Sequence, residues 1–312
     1  MRQAGVVCAY CGQEALTGTE PPEHPVPRAL GSSLEVFSVC GPCNTWAGEN
    51  VDQPFLDDDW VRIHRSLHDV RDPRRRRGRA IASPIFDGFT DEGVRVTADA
   101  NGRPRLHGRI IENGDEVRIV ANSQEQADML LERVRRRVEA EGKAIQVTDR
   151  GHDQVRPRVT SRVSLDFVIW GRMAAKIALG VAAEVYPEEW RTSMDAAALR
   201  RQMRDPKPLS SEGKPMGLKP GRLEADNRLR NLVLAPQHAL WFSRWREEST
   251  GLTVLLFGEL VFGQIVDTAG LPVPEMAWRL DPNQPDADGR TTFRALIDGA
   301  VRRSASQNYP EA

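Results

Sequence analysis

Four cysteines, Cys8, Cys11, Cys40 and Cys43, are the only ones in 312 residues, and they form two Cys-x-x-Cys pairs. Either two disulfides or one metal site would satisfy them. The N-terminal run "MRQAGVVCAYCGQ" lacks the long apolar core of a signal peptide, which points to a cytoplasmic protein. A reducing compartment disfavours disulfides. Two such pairs, a few tens of residues apart, suit a tetrahedral four-thiolate zinc site, because each short turn presents two sulfurs to one ion. Residues 6–45 are too few to bury a core unaided, so structural zinc would replace the missing hydrophobic stabilisation.

The rest of the chain is long enough for two ordinary domains, or for one large domain with a small appendage. With 40% hydrophobic and 28% charged residues it reads as globular. The most apolar stretch, "DFVIWGRMAAKIALGVAAEV" (166–185), is interrupted by Arg172 and Lys176, which argues against a membrane span. A net charge of -1 conceals a local imbalance. Residues 1–60 hold nine acids against Arg2 and Arg28, whereas 61–80 hold eight arginines against Asp69 and Asp72.

"CNTWAGENVDQPFL" (43–56) reads as a short helix with Asn44 as N-cap, until Pro54 breaks the pattern. "WVRIHRSLHDV" (60–70) is an amphipathic helix with Ile63, Leu67 and Val70 on one side. "RDPRRRRGR" (71–79) is a charged linker and a domain boundary. Alternating residues around "NG" turns predict antiparallel strands over 93–121. A helix over 123–142 and a strand at "KAIQVTD" follow, then a long core helix at 166–185. Residues 201–222 form a Pro/Gly/Lys loop, strands occupy 253–266, and the tail from Asp281 is polar and loose. His64 and His68, spaced i, i+4 like metal ligands, read as a helix-surface pair. Trp241 and Trp245 read as core, and Asp57–Asp59 as a solvated turn or helix start.

In order, the cysteine segment contains Cys8-x-x-Cys11, Glu23-His24, Pro27, Leu30-Gly31, Cys40-x-x-Cys43-Asn44, Gly48 and Asp52. This run, about residues 8–56, resembles the zinc-finger-containing HNH endonucleases. The resemblance implies an α+β chain: a small zinc-stabilised ββα-metal (HNH) domain at 1–60 followed by a mixed α/β C-terminal domain. A helix and basic linker (61–80), an α+β region of unknown role (81–280) and the tail (281–312) complete the expected layout.

By the same resemblance His24 is the general base and Asn44 holds the ββα unit together. Glu23 binds a catalytic divalent ion. A helix from Asn44 puts Gly48 and Asp52 on one face, which makes Asp52 the second ligand, with Asn50 and Glu49 as rivals. Oxygen donors favour magnesium or manganese. A neutral imidazole can take a proton from water near a phosphodiester. In an extended strand, however, Glu23 and His24 point apart, so a bend stiffened by Pro25 and Pro27 is needed.

The implied partner is DNA, with RNA as an alternative, and no membrane. Arg28 and the run Arg74, Arg75, Arg76 and Arg77 are candidate phosphate contacts, as are Lys207, Lys214, Lys219 and Arg222. Two other readings compete. One is a non-catalytic zinc-stabilised nucleic-acid-binding or interaction module. The other is a nuclease effector switched by a ligand or partner protein at the C-terminal domain.

Overall fold

The computed structural model describes residues 6–14, 16–17, 19–70, 88–98, 104–114, 116–148, 159–161, 166–205, 232–245, 249–268, 270–284 and 289–308. The chain divides into two compact units, Met1–Arg77 with Leu165–Ala312, and Gly78–Ser164. Helices and antiparallel sheets occur in both, so the class is α+β. The expected 81–280 domain is therefore not one body. Its later half shares a single hydrophobic core with the cysteine segment, running from Cys8 and Tyr10 through Ile177 to Leu280. A segment as short as 6–45 gains its core by borrowing apolar surface from distant chain.

The larger unit opens with Val7 and Glu14 paired as an antiparallel bridge around the first cysteines. Glu23 and Val36 exchange both backbone hydrogen bonds at 2.9 Å, forming a minimal hairpin. Within it a 3-10 turn, Arg28–Leu30, ends at Gly31 with φ 80°. A Cβ there would stand 2.4 Å from the Cβ of Pro282, so both the left-handed turn and the close approach require glycine.

Helices α1 (Gly41–Ala47), α2 (Gln53–Asp57) and α3 (Asp59–Leu67) follow. The first begins at Gly41 rather than at Asn44. Cys40 holds the N-cap position and Pro42 sits in the first turn, where its missing N–H breaks no helical bond. A π-helical turn, Gly48–Asp52, joins α1 to α2. Its wider path precedes Pro54, whose ring would collide with the carbonyl four residues back in a regular α-helix. Asp58 caps α3 by accepting the N–H groups of Trp60 and Val61.

The smaller unit contains β1 (Gly88–Thr90), β2 (Arg95–Ala98), β3 (Pro104–Leu106), β4 (Arg109–Asn113), β5 (Glu116–Val120), α4 (Gln124–Ala140) and β6 (Val159–Ser161). Strands β3-β2-β1-β6 form one antiparallel sheet and β4-β5 a hairpin. The strand expected at 143–149 does not form; residues 143–148 lack regular structure.

The chain then returns to the larger unit with α5 (Phe167–Val185) and α6 (Met194–Arg204). Asp166 caps α5, accepting from Val168 and Ile169. Its interior is buried on every face, consistent with apolar residues all round. Gly180 leaves space for Pro25, since a Cβ there would lie 2.8 Å from the proline Cγ. A five-stranded antiparallel sheet, ordered β11-β10-β7-β8-β9, completes the core. Its strands are β7 (His238–Arg244), β8 (Thr250–Leu256), β9 (Leu260–Asp267), β10 (Met276–Leu280) and β11 (Arg290–Thr292).

Trp241 is buried on β7 and stacks on Phe293. Trp245 lies over Gly251 and Gly263, whose missing side chains make room for the indole. The tail expected to be loose instead supplies β11 and α7 (Phe293–Asn308), with Leu296 and Ala300 buried.

His238, at the start of β7, is fully buried and tied at both ring nitrogens. Its Nε2 lies 2.7 Å from the Leu30 carbonyl, and Nδ1 accepts the Phe257 N–H at 2.9 Å. Only a neutral ring can do both, and burial pulls the pKa down to about 4. The folded value lies below the unfolded value of about 6.5, so this stabilisation is complete above that pH and is lost as pH falls towards 4. Urea unfolding between pH 7.5 and 4.5 is expected to show a loss of about 3 kcal/mol, with a flatter profile in His238→Gln. An identical slope in the variant would remove His238 as the cause.

Candidate active site

The sulfurs of Cys8, Cys11, Cys40 and Cys43 all lie within 4.8 Å of one another. The Cys8 N–H bonds the Gln13 carbonyl within the first turn, and the Cys40 N–H donates to Cys8 Sγ at 3.3 Å across to the second, so the backbone ties the two pairs together. A hydrogen bond from Cys43 pulls the Cys8 thiol down to about 4, and the same bond pushes Cys43 up. The donor set and its spacing fit one four-coordinate ion.

Helix α6 braces this cluster. Arg204 donates to Cys43 Sγ at 3.1 Å, and Arg200 donates to the Ala9 carbonyl at 2.9 Å. These arginines balance the negative charge that thiolates would carry. Sequence reasoning had no signal for them, because each lies more than 150 residues from its partner.

Glu23 and His24 occupy opposite faces of the hairpin strand, as alternation requires, so the bend expected to turn both towards one ion is absent. Glu23 points inward, 3% exposed, and accepts the Tyr10 hydroxyl at 3.2 Å. Asp52, carried by the π-helical turn, converges on the same interior point. Between them stands the ammonium of Lys176 from α5, fully buried. Its Nζ lies 2.7 Å from Glu23 Oε1 and 2.7 Å from Asp52 Oδ1, and it donates to the His24 carbonyl at 2.8 Å.

The expected pairing of Glu23 and Asp52 as ligands of magnesium or manganese is therefore corrected. The two carboxylates are the counter-ions of one ammonium rather than an open pair of ligands. Burial holds Asp52 up at about 6, with Lys176 drawing it back. Burial also disfavours the Lys176 charge, but Asp52 and Glu23 outweigh it and raise that pKa overall. The rivals to Asp52 are elsewhere: Asn50 donates to the Trp46 carbonyl and Glu49 is exposed.

His24 keeps the geometry of a base. Its Nδ1 lies 3.1 Å from the Leu34 carbonyl across the hairpin. A carbonyl only accepts, so the neutral ring carries its proton on Nδ1 and presents Nε2 as the proton acceptor. Nε2 lies 3.8 Å from Glu35 Oε1, and the side chain is 16% exposed. Burial, assisted by the positive charge of Arg28 and opposed by the Leu34 bond, lowers the pKa. The ring is thus unprotonated at neutral pH. Asn44 donates to the Pro22 carbonyl at 3.3 Å, tying α1 to the strand that carries Glu23 and His24.

Arg28 is close enough to His24 to act on it electrostatically. Arg74 to Arg77, Lys207, Lys214, Lys219 and Arg222 lie outside the described residues. On α6, Arg200, Arg201 and Arg204 line an open hollow of about 410 Å³ with Tyr10, Cys11 and Asp205. Among the described residues no helix is long and apolar enough to cross a membrane. Compared with known proteins, the chain matches no family model, no curated protein and no solved structure.

Proposed function

We propose that the chain is an HNH-type endonuclease whose structural ion is zinc and whose general base is His24. The observation that carries this reading is the His24–Leu34 hydrogen bond, which sets the tautomer and leaves Nε2 as acceptor, beside a cationic Arg28. Water would attack phosphorus while His24 Nε2 takes its proton; the bond from phosphorus to the 3′ oxygen breaks, and that oxygen leaves by taking up a proton from solvent water. By resemblance to the family, the ends would be 5′-phosphate and 3′-hydroxyl. Arg28 and the α6 arginines supply the positive charge that a polyanion needs near an otherwise acidic segment. Four thiolates at tetrahedral spacing suit zinc.

Purified protein is expected to nick supercoiled DNA, and His24→Ala to slow nicking by about 10²–10⁴-fold without changing zinc content or melting. Because Lys176 already neutralises Glu23 and Asp52, nicking is expected to persist after brief EDTA treatment that leaves the zinc in place. Equal cutting by His24→Ala would remove it as the base.

The same lysine favours one second reading, a non-catalytic nucleic-acid-binding module. Intact plasmid under every ion tried, together with salt-dependent DNA binding lost on substitution of Arg200 and Arg201, would select that alternative.

A further inference from the structure

His64 and His68 are not the surface pair that their spacing suggested. His64 lies on α3, with its side chain 8% exposed, and His68 follows at the helix C-cap. Both rings stack against Phe257, at centroid distances of 5.6 and 6.1 Å, and Trp60 stacks on His64 at 6.1 Å. Facing them is Glu259, from the turn between β8 and β9. Its Oε2 lies 2.9 Å from His64 Nδ1 and 4.0 Å from His68 Nε2, and the three ligand atoms all fall within 4.8 Å. Yet both ring nitrogens are buried without an aligned hydrogen-bond partner among the described residues. Two buried ring nitrogens and a carboxylate oxygen converge here, with the His64–Glu259 ion pair at 2.9 Å the close contact among them, and this is the disposition of ligands around a common cation.

The turn that delivers Glu259 is strained. Phe257 takes φ 56° and Gly258 φ 70°, and the Glu259 N–H bonds the Leu256 carbonyl at 3.0 Å. Positive φ at both central positions is the tight hairpin turn that favours asparagine or glycine, and a buried phenylalanine is costly there. The strain is held by the Phe257 N–H bond to His238, and it places Phe257 over both histidines and Glu259 before them.

We propose that His64, His68 and Glu259 form a second metal site, for zinc or another first-row divalent transition ion. Two imidazoles and one carboxylate suit such ions, and three protein ligands leave a position for solvent on the side where Glu259 is 45% exposed. The ion would clamp α3 to the β8–β9 hairpin. This site is independent of the nuclease reading, and its test involves no cleavage.

Zinc is titrated by calorimetry into protein that already holds its cysteine-bound ion. One further saturable equivalent is expected, together with a rise in melting temperature. Because His64 is buried, the test variants are the partly exposed His68→Ala and Glu259→Gln. Each is expected to weaken the added binding by more than the ~10–100-fold that outer partners of a ligand contribute. Their metal-free melting should stay near that of wild type, and the exposed His107→Ala should bind normally. No added equivalent in wild type, or unchanged affinity in His68→Ala, would overturn the site.

Discussion

Lys176→Met is expected to lower the stability of the larger unit by about 3–5 kcal/mol, the cost of leaving buried charge without its partner. Methionine keeps most of the volume and the apolar stem, so the loss reports the ammonium and not a cavity. Glu23 is almost wholly enclosed and cannot turn to water when the cation goes, whereas the Asp52 side chain is 20% exposed, so most of the loss falls on Glu23. Whole domains are stable by only about 5–15 kcal/mol, so the single substitution removes a large part of the margin. Restoring neutrality identifies the cause. Glu23→Gln and Asp52→Asn, combined with Lys176→Met, should recover much of the loss, because uncharged amides cost far less to bury than carboxylates. Equal melting of Lys176→Met and wild type would show that the trio is not a coupled ionic unit.

Loss of the cysteine-bound ion should have a still larger effect on the N-terminal segment. Structural zinc sites carry apparent binding energies of about 10–16 kcal/mol, and that energy is folding energy wherever the site does not pre-exist. In Cys43→Ser we expect zinc content to fall from about one per chain to near zero. The disruption should spread to α6, because Arg204 bonds Cys43 directly and Arg200 holds the turn between Cys8 and Cys11. Hydrogen exchange would then show lost protection over residues 7–47 and along α6, while α4, in the other unit, keeps its protection. Protection unchanged in α6 would mean that the arginines merely lie beside the cluster.

Much of the local structure could be read from the chain. The cysteine spacing named the residues that cluster, and apolar patterning placed helices at 123–142 and 166–185, where α4 and α5 form with Ser123 and Asp166 as their caps. Hydrophobic periodicity identified α5 as central. Reading went wrong where a neighbour remote in sequence decided the outcome. Of the two roles expected of Asn44, the helix cap is displaced because the cysteine pair and Pro42 start the helix earlier, while its side chain bonds the hairpin. The polar tail folds because β11 adds to the edge of a sheet and α7 covers it.

The candidate site divides along the same line. The resemblance of the cysteine segment is what grouped Glu23, His24, Asn44 and Asp52, while local spacing set which strand or turn carries each. The sequence also specified that Glu23 and His24 face opposite ways. It could not specify what Glu23 and Asp52 face, because Lys176 reads in sequence as one interruption of an apolar helix. Only the packing of α5 beneath the hairpin buries that lysine between two carboxylates and turns expected metal ligands into its counter-ions. His64 and His68 follow the same rule: their spacing is local, but Glu259 reaches them only through the β8–β9 turn. Periodicity and spacing act within a few residues, whereas the compensation of buried charge is settled by whichever distant groups the core brings together.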